Sequence, residues 1–185
     1  MKSKIASPVL RLLAWLIDWQ LGLAIGLVLG LTVAQASTVN NLLTTVLNVI
    51  IFGVIIFPLI WPPILGWLIS RFGGGPGKLA FGLAIVDREE KHLSFRMALF
   101  RSYVGYMVSG LLVWLGFIWI IIDKERQGWH DKISGSRVIV RNKTGWLLGL
   151  VILTSLVVFN VALIVNIYTE ITLHQNLYQE LFRGQ

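Results

Sequence analysis

Arg11 and Asp18 lie within the first long apolar stretch of the chain, residues 10–36. An ionised aspartate inside a membrane helix opposes insertion by roughly 2.5–3.5 kcal/mol, and such a helix has no structural need for it. A membrane-embedded acid is therefore a candidate functional group, above all for binding a proton or a cation. The two residues share a helical face, about 20° apart around the axis and about 10 Å apart along it, which is too far for a direct ion pair.

The same face continues as Gly22, Gly26 and Gly30, a GxxxGxxxG pattern. Small residues at this spacing allow two membrane helices to approach closely. Two interpretations stay open at this point. In the first, the glycines form only a packing seam and Asp18 is a structural acid paired with a basic residue elsewhere. In the second, the packed face of this helix carries a cation or proton site.

A second group of polar residues follows an apolar segment further along the chain: Asp123, Arg126, His130 and Asp131. We expect the two aspartates to pair with arginines of the preceding segment, such as Arg96 or Arg101, and so to form a buried polar network. The alternative is an acid–base pair or a weak metal site made of His130 and Asp131.

Other signs of enzymatic chemistry are missing from the sequence. It has no cysteine, its three histidines lack a metal-binding spacing, and no serine lies in a nucleophile motif. The turn GGGPGK (residues 73–78) is not a phosphate-binding loop, because Phe72 replaces the first glycine of that motif and Leu79 replaces its hydroxyl residue. We therefore expect no catalytic residue, no metal and no cofactor.

Composition places the chain among polytopic membrane proteins. Hydrophobic residues make up 56% of its 185 residues, and its formal net charge is +7. In a membrane protein such a positive charge is typical of loops that face anionic headgroups, so the expected partner is the lipid bilayer and not nucleic acid.

The elements that must position these residues follow from the apolar runs. We predict membrane helices over residues 8–36, 42–69 and 145–168, with three prolines kinking or breaking the second half of the middle one. Residues 79–87 and 136–141 alternate like short strands, and residues 169–185 form a polar tail.

The distribution of Lys and Arg predicts the orientation. The N-terminus, residues 70–101 and residues 123–143 are basic, whereas the loop after the first helix carries no basic residue and the tail only Arg183. All three basic regions should face the cytoplasm, so residues 95–122 should not cross the membrane once. We predict a re-entrant or interfacial hairpin with arms at residues 97–108 and 111–122 and a turn at Ser109 and Gly110, after which the two strands pair. A four-span protein that violates the positive-inside rule is the alternative.

Taken together, these motifs resemble the RDD family of bacterial membrane proteins. The resemblance covers about residues 7–140 and rests on RLLAWLID with Arg11 and Asp18, on the Gly-Lys turn before GLAIVD, on LSFRMALFR with Arg101, and on DKERQGWHDKISGS with Asp131. Gly75 and Ser136 stand where family members often carry threonine. The resemblance implies a multi-pass protein of the bacterial inner membrane, and it links the family to transport, including cation/proton antiport in some members.

Two functions follow as expectations. The first is ion or solute transport, specifically cation/proton exchange at Asp18 with Arg11 tuning its pKa, which would require a homo-oligomer because three helices are few for an alternating-access pathway. The second is a non-catalytic accessory or assembly subunit of a larger membrane complex, docked through the glycine face or the last helix. In both, the ion site or buried polar network draws on Arg11, Asp18, Arg101, Asp123, His130 and Asp131.

Overall fold

The computed structural model describes residues 3–111, 115–176 and 179. Most of these residues are helical. In chain order the elements are α1 (Pro8–Ala34), α2 (Val39–Ile50), a π-helical stretch (Ile51–Ile56), α3 (Phe57–Phe72), α4 (Pro76–Ala80), β1 (Leu83–Val86), α5 (Phe95–Phe100), a second π-helical stretch (Arg101–Gly105), α6 (Tyr106–Leu111), α7 (Leu115–Ile122), α8 (Trp129–Ile133), β2 (Arg137–Val140) and α9 (Gly145–Leu173).

Three of the helical regions are long and apolar enough to cross a bilayer, which confirms the prediction of an all-α membrane protein with three spans. They are Pro8–Ala34, Val39–Ala80 and Gly145–Leu173. Their outward side chains are large and apolar, for example Val54, Val151 and Val158, and each of these is more than 60% exposed in the isolated chain. Such a surface is stable only when lipid or another apolar surface covers it.

Of the two predicted effects of the prolines, a kink or a break, the break is absent. Pro62 and Pro63 lie inside α3, which continues beyond them to Phe72. The π-helical stretch Ile51–Ile56 lies just before the proline-rich part. Local π-helical adjustments of this kind allow membrane helices to tolerate prolines, because they provide alternative partners for backbone carbonyls that lose an N–H donor.

The two predicted strands pair as an antiparallel sheet, with Leu83 opposite Val140 and Val86 opposite Arg137. The N-terminal segment extends this sheet, since the Val140 N–H donates to Lys4 O at 2.8 Å and the Ala6 N–H donates to Val138 O at 2.9 Å. β1 is shorter than predicted because residues 76–80 form α4, which begins at a proline in the first helical position.

This sheet decides the path of residues 95–122. Hydrogen-bonded strands lie on one side of a bilayer, so the chain leaves β1 and returns to β2 on the same side. Helices α5–α6 and α7 are bent by 91° relative to each other, a geometry that occurs both in broken spans and in re-entrant pairs. The predicted turn at Ser109 and Gly110 is wrong, because both residues are helical; the connection over residues 112–114 lies outside the described residues.

The chain divides into two compact units. One contains Met1–Asp18 and Ile60–Leu153, including the sheet, the bent helix pair and α8. The other contains Trp19–Leu59 and Thr154–Gln185. In the second unit the Asn160 side chain, 3% exposed, donates to the backbone and side-chain oxygens of Gln20 at 3.1 and 2.5 Å. The last helix extends to Leu173, beyond its predicted end at residue 168, so part of the predicted tail is helical.

Candidate functional site

A buried carboxylate, that of Asp131, joins two arginines from distant parts of the sequence. Arg11 Nη2 lies 2.5 Å from Asp131 Oδ2, and Arg101 Nη2 lies 2.7 Å from Asp131 Oδ1. Asp131 and Arg101 are fully buried and Arg11 is 6% exposed. The carboxylate also accepts the Gly128 N–H at 3.0 Å, which caps α8. We call Arg11, Arg101 and Asp131 the Arg–Asp–Arg clamp.

The remaining donors of the clamp are also satisfied within the first unit. Arg11 Nη1 donates to Arg126 O at 2.7 Å, which connects α1 to the loop before α8. Arg101 donates through Nε to Ser136 Oγ at 3.2 Å and through Nη1 to the Tyr106 hydroxyl at 3.3 Å. The clamp therefore connects α1, the bent helix pair and the segment that leads into β2.

His130 packs against the clamp in a mostly aromatic environment. Its ring lies 5.3 Å from that of Tyr106 and 4.9 Å from that of Phe117, centroid to centroid. Ser109 Oγ accepts the His130 backbone N–H at 3.0 Å, which leaves the hydroxyl proton for His130 Nδ1 at 3.1 Å. The other ring nitrogen, Nε2, is 3.5 Å from Asp131 Oδ1. Arg11 Nη2 lies at the same distance of 3.5 Å from Nε2, so the imidazole bridges Ser109 and the Arg11–Asp131 ion pair.

Electrostatics in the clamp follow from burial and charge. Burial lowers the pKa of His130 well below its usual value, and the neighbouring guanidiniums lower it further, against the opposing effect of Asp131. Burial alone would raise the pKa of Asp131, but the charges of Arg11 and Arg101 hold that pKa far below its usual range. Asp131 is therefore ionised and His130 neutral at physiological pH, which leaves one positive charge in excess.

Asp18 lies in a separate environment and has no arginine partner among the described residues. Its half-buried carboxylate accepts the Gly77 N–H at 2.7 Å, and Lys78 is close enough to interact with it electrostatically. Gly77 packs against α1 so closely that a Cβ there would overlap the Ala14 carbonyl oxygen. Only glycine permits this approach of α4 to the helix that carries Asp18.

The structure thus separates residues that the sequence placed on one face. Arg11 bonds to Asp131 and not to Asp18, so the idea that Arg11 tunes Asp18 is replaced by an influence of Lys78 and the Gly77 N–H. The predicted pairing of Asp131 with Arg101 is present. Asp123 does not pair with Arg96 or Arg101, because it caps its own turn through the N–H groups of residues 125 and 127 and forms an ion pair with Lys132.

The glycine face of α1 forms no continuous seam within the described chain. A Cβ at Gly22 or Gly26 would meet nothing within 4 Å, and one at Gly30 would meet only Ile167 Cδ1 at 3.6 Å. The close helix approach predicted for Gly22 and Gly26 is therefore not made by this chain alone. No group of three potential metal ligands exists among the described residues.

Sequence reasoning missed the hydroxyl groups that complete the clamp. Ser109 was interpreted as part of a turn, although the structure buries it against His130. Ser136 was noted only as a departure from threonine, and Tyr106 carried no signal at all. Ser136 and Tyr106 both bond to Arg101: Tyr106 from the next helix of the bent pair, and Ser136 from the segment that leads into β2.

Comparison with known proteins gives one family and one relative. The model of the RDD family matches residues 5–135, which include Arg11, Asp18, Arg101 and Asp131. An uncharacterized protein of Bacillus subtilis strain 168, YxaI, is 33% identical over 72 residues, or 39% of this chain and 46% of that protein. The chain thus matches a little under half the length of this relative. No solved structure matches the chain.

Proposed function

Because the chain belongs to the RDD family of membrane proteins, we propose that it is a small, non-enzymatic transport protein that exchanges a proton for a monovalent cation at Asp18. The observation that carries this proposal is the difference between the buried Asp131 and the half-buried Asp18. Asp131 is neutralised by two arginines, whereas Asp18 is held by a backbone N–H beside a lysine. A carboxylate without an arginine partner can exchange a proton for a cation at a far lower cost in free energy, because no ion pair has to be broken.

The sequence offers no other acid for this role. Of the nine acidic residues, only Asp18 and Glu170 lie inside the three candidate spans, and Glu170 belongs to the last turn of α9 beside His174. A single carboxylate favours a monovalent cation, because divalent cations require several oxygen ligands or carboxylates. The clamp then serves as the rigid base that fixes α1 and, through α1, Asp18.

The proposed setting is the bacterial inner membrane, with the sheet and the N-terminus on the cytoplasmic side. All Lys and Arg residues except Arg183 fall in the three basic regions that the sheet brings to one side. Three spans make a small pathway, so the exchanger is proposed to act as a homo-oligomer.

The test is cation-driven proton flux in proteoliposomes of the purified protein that enclose a pH-sensitive dye. Asp18→Asn is expected to reduce Na⁺- or K⁺-dependent flux at least about tenfold, because the amide cannot carry a proton. Asp18→Glu should retain part of the flux. Glu89→Gln, a neutralisation at an exposed site, is the matched control and should leave flux unchanged. Full flux in Asp18→Asn would refute the exchanger.

A second function, an assembly subunit of a larger membrane complex, is favoured by the open face of α1. Gly22 and Gly26 have no close neighbour among the described residues, so this face is available to another membrane helix. Native mass measurement of the protein extracted in mild detergent separates the two functions. A homo-oligomer supports exchange, whereas a stoichiometric larger partner supports the subunit.

A further inference from the structure

A polar pocket lies at the edge of the sheet, and neither Asp18 nor any residue of the clamp lines it. It has a volume of about 380 Å³ and is lined by Arg88, Glu125, Gln127, Gly135 and Arg137. The pocket combines the turn after β1, the loop between α7 and α8, and the start of β2. Gly135 adopts a positive φ of 61° and has open space beside its Cα, so no side chain fills this wall.

Arg137 is incompletely satisfied. Its Nη2 makes two long contacts, of 3.2 Å each, to Arg88 O and to Glu90 Oε1. Its Nε is buried and has no hydrogen-bond partner among the described residues. An unpaired buried donor is costly. Arg137 therefore has donor capacity to spare, and guanidiniums are well suited to bind phosphate oxygens. Arg88 adds a second, exposed guanidinium at the same pocket.

The acidic residues near the pocket indicate that the ligand also carries a positive charge. Glu90 accepts two hydrogen bonds from Ser3, which lower its pKa, and it forms an ion pair with Arg137. Glu125 lines the pocket and is exposed. Two arginines and two glutamates balance in charge, so a simple anion gains little net attraction here. A ligand with a phosphate at one end and an ammonium at the other matches the arrangement.

We propose that this pocket binds a phosphoethanolamine group, with the phosphate on Arg88 and Arg137 and the ammonium on Glu125. Gln127 forms the remaining polar wall; its side-chain amide is held by donation to Ser136 O at 2.9 Å. The group is available either as the headgroup of a phosphatidylethanolamine lipid or as a soluble phosphate ester. This site is independent of the ion exchange proposed at Asp18.

Native mass spectrometry of the full chain in detergent tests the proposal with equimolar phosphatidylethanolamine, phosphatidylcholine and phosphatidylglycerol. The wild type is expected to retain phosphatidylethanolamine preferentially, and Arg137→Gln to lose about tenfold in retention. Arg88→Gln should show a similar loss. Because the Arg88 side chain is exposed, this variant keeps the test valid should Arg137→Gln fail to fold.

Arg141→Gln is the matched control, since Arg141 is exposed, adjoins the same sheet and pairs with His92 outside the pocket. Equal losses in Arg88→Gln and Arg141→Gln would overturn the proposal in favour of general surface charge. Glu125→Gln should weaken retention of phosphatidylethanolamine but not of phosphatidylglycerol, because only the former carries the ammonium.

Soluble phosphoethanolamine, added alone and then in competition with the bound lipid, distinguishes the two sources. Binding of the lipid that the soluble compound does not displace assigns the site to the membrane headgroup. Binding of the soluble compound with no preference for the lipid assigns it to a soluble ester. Failure of both to bind the wild type would overturn the proposal, whatever the outcome of the flux measurements on Asp18.

Discussion

Replacing Asp131 by asparagine should destabilise the protein more than any other single neutralisation of an acid. The substitution keeps the size of the side chain but removes the one negative charge between two buried guanidiniums, 2.5 and 2.7 Å away. Removing one partner of a buried ion pair costs about 3–5 kcal/mol, because the remaining charge is left uncompensated. Here two arginines lose their partner at once, so we expect the upper part of that range.

Thermal unfolding in detergent, followed by circular dichroism, measures this effect. For a chain of this size a loss of about 4–5 kcal/mol corresponds to a decrease in Tm of roughly 8–20 °C. Acid should mimic the mutation. The folded-state pKa of Asp131 lies far below the 3.8 of the free group. The contribution of its charge is therefore complete above about pH 5 and is lost as the pH falls below 3.8 towards the folded-state pKa.

Glu89→Gln is the control for charge removal alone. Glu89 is 71% exposed and pairs only with the exposed Lys91, so its neutralisation should change the free energy of unfolding by no more than about 1 kcal/mol. If Asp131→Asn costs no more than Glu89→Gln, the clamp does not hold the fold together, and the argument from burial is wrong. A double-mutant cycle with Arg101→Gln should give a coupling of about 0.5–3 kcal/mol.

Three further outcomes are expected. Burial lowers the pKa of His130, so its contribution to the free energy of unfolding should be constant above about pH 6.5. Below pH 6.5 stability should fall until the pH has passed the folded-state pKa. His130→Asn should remove this dependence of the melting temperature on pH. Gly77→Ala should strongly destabilise the protein, because the added Cβ would overlap the α1 backbone. Gly22→Ala has open space around it and should be neutral or stabilise by up to about 1 kcal/mol. Equal effects of the two substitutions in denaturation would contradict the close packing of Gly77 against α1. Gln20→Leu should cost more in thermal unfolding than Gln20→Leu combined with Asn160→Leu, because the single change removes the shorter of the two bonds of the buried Asn160 amide and leaves one of its N–H groups unpaired.

The membrane class and the approximate positions of its elements were accessible from the sequence. Apolar runs longer than the bilayer thickness can be satisfied only as spans, so α1, the second span and α9 follow from composition and length. The distribution of Lys and Arg, with the alternating pattern of the two short strands, was sufficient to predict that residues 95–122 return to the side from which they start. The antiparallel sheet confirms that pairing. The prolines at positions 62 and 63 leave α3 unbroken, and a π-helical stretch precedes them; local adjustments of this kind allow membrane helices to tolerate proline.

The residue types of the buried network were also visible in the sequence, but their partners were not. Helical periodicity placed Arg11 and Asp18 on one face and suggested that they act together. Only the tertiary structure shows that Arg11 binds Asp131, 120 positions away, and that Asp18 meets a backbone N–H of the glycine-rich turn. A sequence fixes which charges must be buried, because lipid-facing helices have no water to solvate them. It does not fix which opposite charge neutralises each one, since that depends on how distant segments pack.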